Sequence, residues 1–442
     1  MKHSMGIVAV ASVYESGGER AENLMQQAAQ ALEKAGVALT VADRVVWTVA
    51  DAMEVCASFQ ASGITSVTII EASWVLDSLK YLFVQKLHLP VAFWAVPYCD
   101  TFSIGGVQHF GSILQSQGIP YKYVYGSADD SALIDELKII ANAGDMIFDL
   151  QHLNVALMGP RQSWRVAGPQ DMTNEEWEFS QKMGTTIAHL EMDEVLSRIE
   201  KISDAEAEKT LQELLPRTGK YNLDKHGMLR HAKIYMAAKD IMKQNHLDII
   251  AAECYPQYCG LMELTSSWLA DECIELDTEG DLAHSILMHL MYQHMQGRVA
   301  LCEVGSIDTE HNYLIAAHAG SSAQSFAGDL ARVKVNAFEG GGAFVGTPLK
   351  AMDTVTVASF TGKAGAYKMF IGNAKTLDIP TEEWIERGEK MLAYVQFDTD
   401  AADVVKFMTQ HGIDHHLLIH EGDCKQQLKI FCDYMGIEAV VL

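Results

Sequence analysis

The chain has 442 residues, 49% of them hydrophobic and 21% charged, which excludes a disordered polymer and allows two or three domains with buried cores. Thirty-three Lys and Arg face fifty-eight Asp and Glu, a formal charge of −25. So acidic a surface repels phosphate backbones and anionic lipid, so nucleic acid and membrane are poor partners, although a local basic pocket could still take a small anion.

The start, Met1-Lys2-His3-Ser4-Met5, runs straight into Gly6-Ile7-Val8-Ala9-Val10, which reads as a strand rather than a signal peptide. With no stretch of 18 apolar residues, nothing is expected to span a bilayer. The eight cysteines form no Cys-x-x-Cys pair and suggest neither a zinc ribbon nor a disulfide framework, so a reducing cytoplasm is the expected location. Over the first 150 residues, strand-like runs at 6–12, 38–47, 66–70, 91–96 and 121–125 alternate with helix-like runs at 19–35, 49–62, 74–85, 107–118 and 130–143. This alternation predicts an α/β domain, a doubly wound parallel sheet, over residues 1–152. Ser16-Gly17-Gly18 after the first strand is too sparse for a dinucleotide fingerprint.

A second doubly wound parallel-sheet domain is expected over 153–297, with strands at 154–158 (ending in Gly159-Pro160), 185–189 and 247–253 and a long helix at 223–245. From Arg298 the texture changes to β-branched residues and turns. Residues 298–442 therefore read as a mostly antiparallel, barrel-like domain closed by a late helix at 423–436.

The main chemical signal lies at 275–305, patterned as loop, helix, tight turn and strand, with Asp281 as N-cap and Gly297 as the stop. Glu279 precedes the helix and Glu303 nears the end of the strand, 24 residues on. The helix rises roughly 23 Å at 1.5 Å per residue. The strand returns roughly 17–20 Å at about 3.3 Å per residue, so the carboxylates can become neighbours. A hairpin centred near residue 310 sets Glu303 across from 317 or 318, bringing His318 within cross-strand reach. Taken singly, Glu279 reads as a solvated helix-flanking carboxylate and His318 as a satisfied core histidine. Glu303, inside Val299-Ala300-Leu301-Cys302-Glu303-Val304, is harder to dismiss, because a buried carboxylate costs several kcal/mol unless paired, metal-bound or protonated. His284, His289 and His294 recur at five-residue steps and read as structural or surface residues. Two carboxylates and an imidazole without thiolate suit manganese, magnesium or cobalt.

Ile249-Ile250-Ala251-Ala252-Glu253-Cys254-Tyr255-Pro256, Asp277-Thr278-Glu279-Gly280-Asp281, Glu303 and His318-Ala319-Gly320 together resemble the L-fucose/L-arabinose isomerase superfamily. Gly412-Ile413-Asp414-His415-His416 is similar to that family's closing histidine strand. The likeness covers residues 247–320 and 411–442, and the first 150 residues agree in fold pattern only. The resemblance implies a divalent-metal-dependent aldose–ketose isomerase, an intramolecular oxidoreductase working through an enediolate. It implies that Glu279 and Glu303 are catalytic and that Glu279, Glu303, His318 and His416 hold the ion, Mn2+ or another divalent ion such as Co2+ or Mg2+. Glu303 and His318 follow the arabinose branch. His415, adjacent to His416 on a strand, must face the other way and is a candidate sugar contact. Family members are homo-oligomers, trimers or hexamers, whose site is shared between subunits, which makes Arg20 a candidate substrate contact lent to a neighbour. The competing readings are a non-catalytic sugar-binding or regulatory protein on this scaffold, and a related epimerase or lyase.

Overall fold

The computed structural model describes residues 3–159, 176–318, 322–363 and 365–442. Pro160, Ala319 and Gly320 of the motifs above lie outside the described residues. The chain divides into two compact units, one of Met1–Asp149 with Gln426–Gly436 and one of Leu150–Lys425 with Ile437–Leu442.

The first unit holds five parallel strands: Met5–Val10, Leu39–Val41, Ser66–Glu71, Val91–Ala95 and Lys122–Tyr125. In space their order is second, first, third, fourth, fifth. Met5–Val10, Ser66–Glu71 and Val91–Ala95 are buried at every position, which is why the first and third read as unbroken apolar runs rather than alternating ones. The second strand is shorter than expected. Beyond Val41 the chain turns polar, with Arg44 bonding both Asp43 and Glu54, and only Val46 returns to bridge Val10. All five expected helices are present: Ala21–Lys34, Val49–Ser62, Asp77–Leu87, Ser103–Ser116 and Ser131–His152. The second begins at a reciprocal capping box between Thr48 and Asp51.

The late helix, Lys425–Met435, packs in this first unit. Ile430 joins its core, Tyr434 Oη donates to Val91 O at 2.9 Å, and Lys122 pairs with Asp433.

In the second unit a parallel sheet runs in the order Glu275–Asp277, Ile249–Ala252, Asn154–Met158, Thr186–Leu190. Glu275–Asp277 is a three-residue strand where the sequence suggested a loop; pairing with Ile249–Ala251 overrides its acidic composition. The long helix is Lys225–Gln244. A mostly antiparallel seven-stranded sheet follows. At its centre Val299–Asp308 lies between Tyr313–His318 and His416–Glu421. Met352–Lys363 pairs with both His416–Glu421 and Ala366–Leu377, and Glu438–Val441 adds a parallel edge along 368–371. Short helices at Thr381–Glu386 and Ala401–Gln410 were not expected; the second is capped by the Asp400 side chain on Ala402 N and Asp403 N. Among the described residues, which include all eight cysteines, no disulfide forms. Among the described residues no helix is long and apolar enough to cross a membrane.

Because Ile430 is 1% exposed in the core of the first unit, Ile430→Ala should cost about 2–5 kcal/mol there. Hydrogen exchange should report the loss in Val91–Ala95, a segment of the same core more than 300 residues earlier in the chain.

Candidate functional site

The site begins with a carboxylate that shapes a loop. Asp277 ends its short strand, and its Oδ2 accepts from Glu279 N and Asp281 N, both at 2.9 Å. Gly280 turns between them at φ +75, where an added Cβ would come 2.6 Å from Glu253 Cγ. Glu279 is thereby carried over the end of the sheet, bridging the backbone of Glu253. Burial, with Asp281 and Glu279 close by, pushes the Asp277 carboxyl up to about 6 against the two backbone N–H groups.

Asp281 then starts the helix Leu282–His294, with Oδ1 accepting from His284 N at 3.1 Å. Its Oδ2 accepts from His284 Nδ1 at 2.6 Å and from His416 Nδ1 at 2.8 Å. The backbone N–H of Phe360 donates to His284 Nε2, which makes Nδ1 the proton-bearing nitrogen of that ring. Burial alone would raise the Asp281 carboxyl, but the two histidines outweigh it and hold it far below the usual carboxylate range.

His416 opens the strand His416–Glu421 directly across from Glu303, and Glu303 lies across from Ala317 on its other side. Paired residues share a face, so Glu303 and His416 point the same way. With Nδ1 given to Asp281, His416 Nε2 stands 3.3 Å from Glu279 Oε2 and 3.8 Å from Glu303 Oε1. It is buried and has no hydrogen-bond partner among the described residues. A strict pleat would send His318 to the face opposite Ala317; as the last residue of its strand it instead brings Nε2 to 3.5 Å from Glu279 Oε1. One donor atom from each of Glu279, Glu303, His318 and His416 lies within 4.8 Å of all the others.

That set fits a divalent ion. Donors bound at about 2.1 Å lie at most about 4.2 Å apart, so shifts of tenths of an ångström close the cluster. Without a cation or a proton, the Nε2 lone pair of His416 would face two carboxylate oxygens. The Asp281–His416 pair is the outer carboxylate that such a ligand histidine requires. Burial raises the Glu279 carboxyl, yet His318 and His416 hold it far below its ordinary value. For Glu303 the His416 contact is the largest influence and lowers it, against burial. Both imidazoles are buried while the Glu279 and Glu303 side chains keep 20% and 45% exposure, so the cluster opens on its carboxylate side.

His415 stands outside the four, exposed, with Nδ1 2.8 Å from Asp414 Oδ1. Arg20 belongs to the first unit, where Nη2 donates to Asp100 Oδ2 at 2.6 Å and the guanidinium stacks over Tyr98. The sequence reading missed His284, which is no surface residue: it is 1% exposed and reaches the cluster through Asp281. The signal was the Asp-x-x-His spacing at the helix start, which sets a ring over its own cap. His289 and His294 take no part in the four-residue cluster.

Gly280→Ala should destabilise the second unit by at least about 1–2 kcal/mol, the cost of a side chain in the left-handed region, before the clash with Glu253 is added. Thermal unfolding measures this, and an unchanged midpoint would contradict the tight loop.

No family model matches the sequence. The chain is similar to several curated sulfoquinovose isomerases. That of Priestia aryabhattai is 23% identical over 384 residues, 82% of this chain and 81% of the relative. That of Alkalicoccus urumqiensis is 19% identical over 363 residues, covering 78% and 79%. That of Clostridium sp. (strain MSTE9) is 23% identical over 336 residues, covering 73% and 72%. The chain is thus a distant relative, over most of its length, of enzymes named as sugar isomerases, which supports the superfamily resemblance without choosing a branch within it.

Proposed function

We propose that the protein is a divalent-metal-dependent aldose–ketose isomerase whose substrate is a free hexose carrying a sulfonate, as sulfoquinovose does. The observation that carries the metal reading is His416 Nε2, buried and without a hydrogen-bond partner, held against oxygens of Glu279 and Glu303 by the hydrogen bond that Nδ1 donates to Asp281. The substrate class comes from the names of the relatives. Convergence of the four donors speaks against a non-catalytic sugar binder, which needs no ion.

Interconverting an aldose and a ketose moves one proton between C1 and C2 and another between their oxygens. Bound at Glu279, Glu303, His318 and His416, an ion such as Mn2+, Co2+ or Mg2+ would supply Lewis-acid stabilisation of the enediolate charge. Of the two glutamates, one takes the carbon-bound proton and returns it to the neighbouring carbon, while the other moves the proton between hydroxyl and carbonyl oxygen. Their unequal burial supports a division of labour: Glu279 is the more enclosed and Glu303 the more open. His416 keeps its orientation through Asp281, and the buried His284 keeps Asp281 ionised.

Manganese-loaded protein incubated with sulfoquinovose should form the corresponding ketose, observed by NMR, and chelation should abolish the conversion. Glu279→Gln and Glu303→Gln should each keep the fold and lose turnover by at least ~100-fold, the usual weight of a positioned acid or base. Undiminished isomerisation in either variant would falsify the assignment. Asp281→Asn should weaken Mn2+ binding roughly 10–100-fold, read by titration with the free ion.

A further inference from the structure

A second feature lies on the face of the antiparallel sheet that carries Glu303 and His416. Ala317 is the cross-strand partner of Glu303, and Leu392 is the partner of Ala317 on the next strand. Both line a pocket of about 240 Å³, together with Gly305, Trp384, Arg387 and Lys390. Gly305 is two residues beyond Glu303, or about 6.6 Å along a strand. That is comparable with the reach of an open-chain hexose from its reacting carbons to its far end.

The two cations are held by a built loop. Trp384 is 5% exposed, and its Nε1 donates to Lys390 O at 2.7 Å, closing the chain from the helix Thr381–Glu386 back to the strand Met391–Gln396. Arg387 Nε donates to Glu383 Oε1 at 3.2 Å and to Tyr394 Oη at 3.1 Å, and Nη2 donates to Glu383 Oε1 at 2.9 Å. One edge of the guanidinium is therefore fixed, while Nη1 has no acceptor among the described residues. Lys390 Nζ likewise has no ion-pair or hydrogen-bond partner among them. On a chain with a formal charge of −25, two cationic residues lining one pocket, each with an uncommitted donor, run against the general field.

We infer that Arg387 and Lys390 form the anion-binding end of the sugar site, taking the sulfonate of the substrate while its C1–C2 end lies at Glu279 and Glu303. This rests on the isomerase reading above and adds to it the residues that set substrate class. A sulfonate remains an anion at any physiological pH and offers three acceptor oxygens. A pre-oriented guanidinium N–H and a mobile ammonium answer it with charge and with hydrogen bonds. Glu383 Oε1 is occupied by Arg387, so this acid orients the guanidinium instead of repelling the ligand.

The test uses the full chain loaded with Mn2+, with Lys390→Gln and Arg387→Gln compared against the unaltered protein on sulfoquinovose and on its neutral 6-deoxyhexose counterpart. Each variant should lower the ratio of kcat/KM for the sulfonated over the neutral sugar about ten- to a hundredfold, the loss falling on KM, as expected for a hydrogen bond to a charged group. Lys390→Gln removes no contact within the protein and guards against a folding artefact from Arg387→Gln. An unchanged ratio in both variants, with active unaltered protein, overturns the inference and leaves the isomerase reading intact. If the unaltered protein turns over neither sugar, calorimetric titration with ethanesulfonate decides. Binding that is lost in both variants upholds the pocket while the isomerase reading falls; binding that is absent, or unaffected by the substitutions, overturns the pocket too.

Discussion

One buried carboxylate ties the site together. Asp281 caps a helix with one oxygen and with the other accepts hydrogen bonds from two imidazoles, one on that helix and one on a strand far along the chain. Because it stays ionised, the Nε2 of His416 must turn toward Glu279 and Glu303. The loop before it is held by a second carboxylate, Asp277, whose two backbone bonds place Glu279 over the sheet end. The cluster is thus organised from behind by acids that never reach it. An outer shell of this kind is the physical means by which a ligand set keeps its geometry before any ion arrives.

Much of this was legible in local sequence. The Asp281 cap, the Gly297 stop and the apolar strand that follows were enough to close Glu279 onto Glu303, and the turn residues around 310 brought in the next strand in a register that the structure reproduces as Glu303 against Ala317. Non-local pairing was not legible from pattern alone. Nothing in His416–Glu421 announces that it pairs with Val299–Glu303 rather than another apolar strand; for that position the family resemblance supplied the expectation. Of the two readings open for His284, structural or surface, the structure takes the first; its tie to the site was not seen because its spacing to other histidines was weighed and its spacing to Asp281 was not. The strand Glu275–Asp277 was missed because three residues rich in acid carry no period, and the helix Ala401–Gln410 because its apolar positions sit among strand-like neighbours.

The basic pocket was invisible to sequence for a different reason. Arg387 and Lys390 stand in a charged stretch with Glu386 and Glu389, which looks like any solvated turn. Only folding separates them: Glu389 pairs with Lys334, Glu383 takes one edge of Arg387, and Arg387 and Lys390 line one pocket with Gly305. Net acidity does not forbid a local cationic site, but composition cannot locate one.

The helix Lys425–Met435 belongs to the first unit, although 276 residues of the second unit separate it from Asp149. At a synthesis rate of ~5–20 residues per second, the amino-terminal sheet waits tens of seconds on the ribosome for its last helix. The second unit waits as well, since Glu438–Val441 lies beyond that helix and completes the edge of its sheet. Neither unit can reach its final packing during translation of the other, so maturation of both is timed to the emergence of the same short stretch of chain.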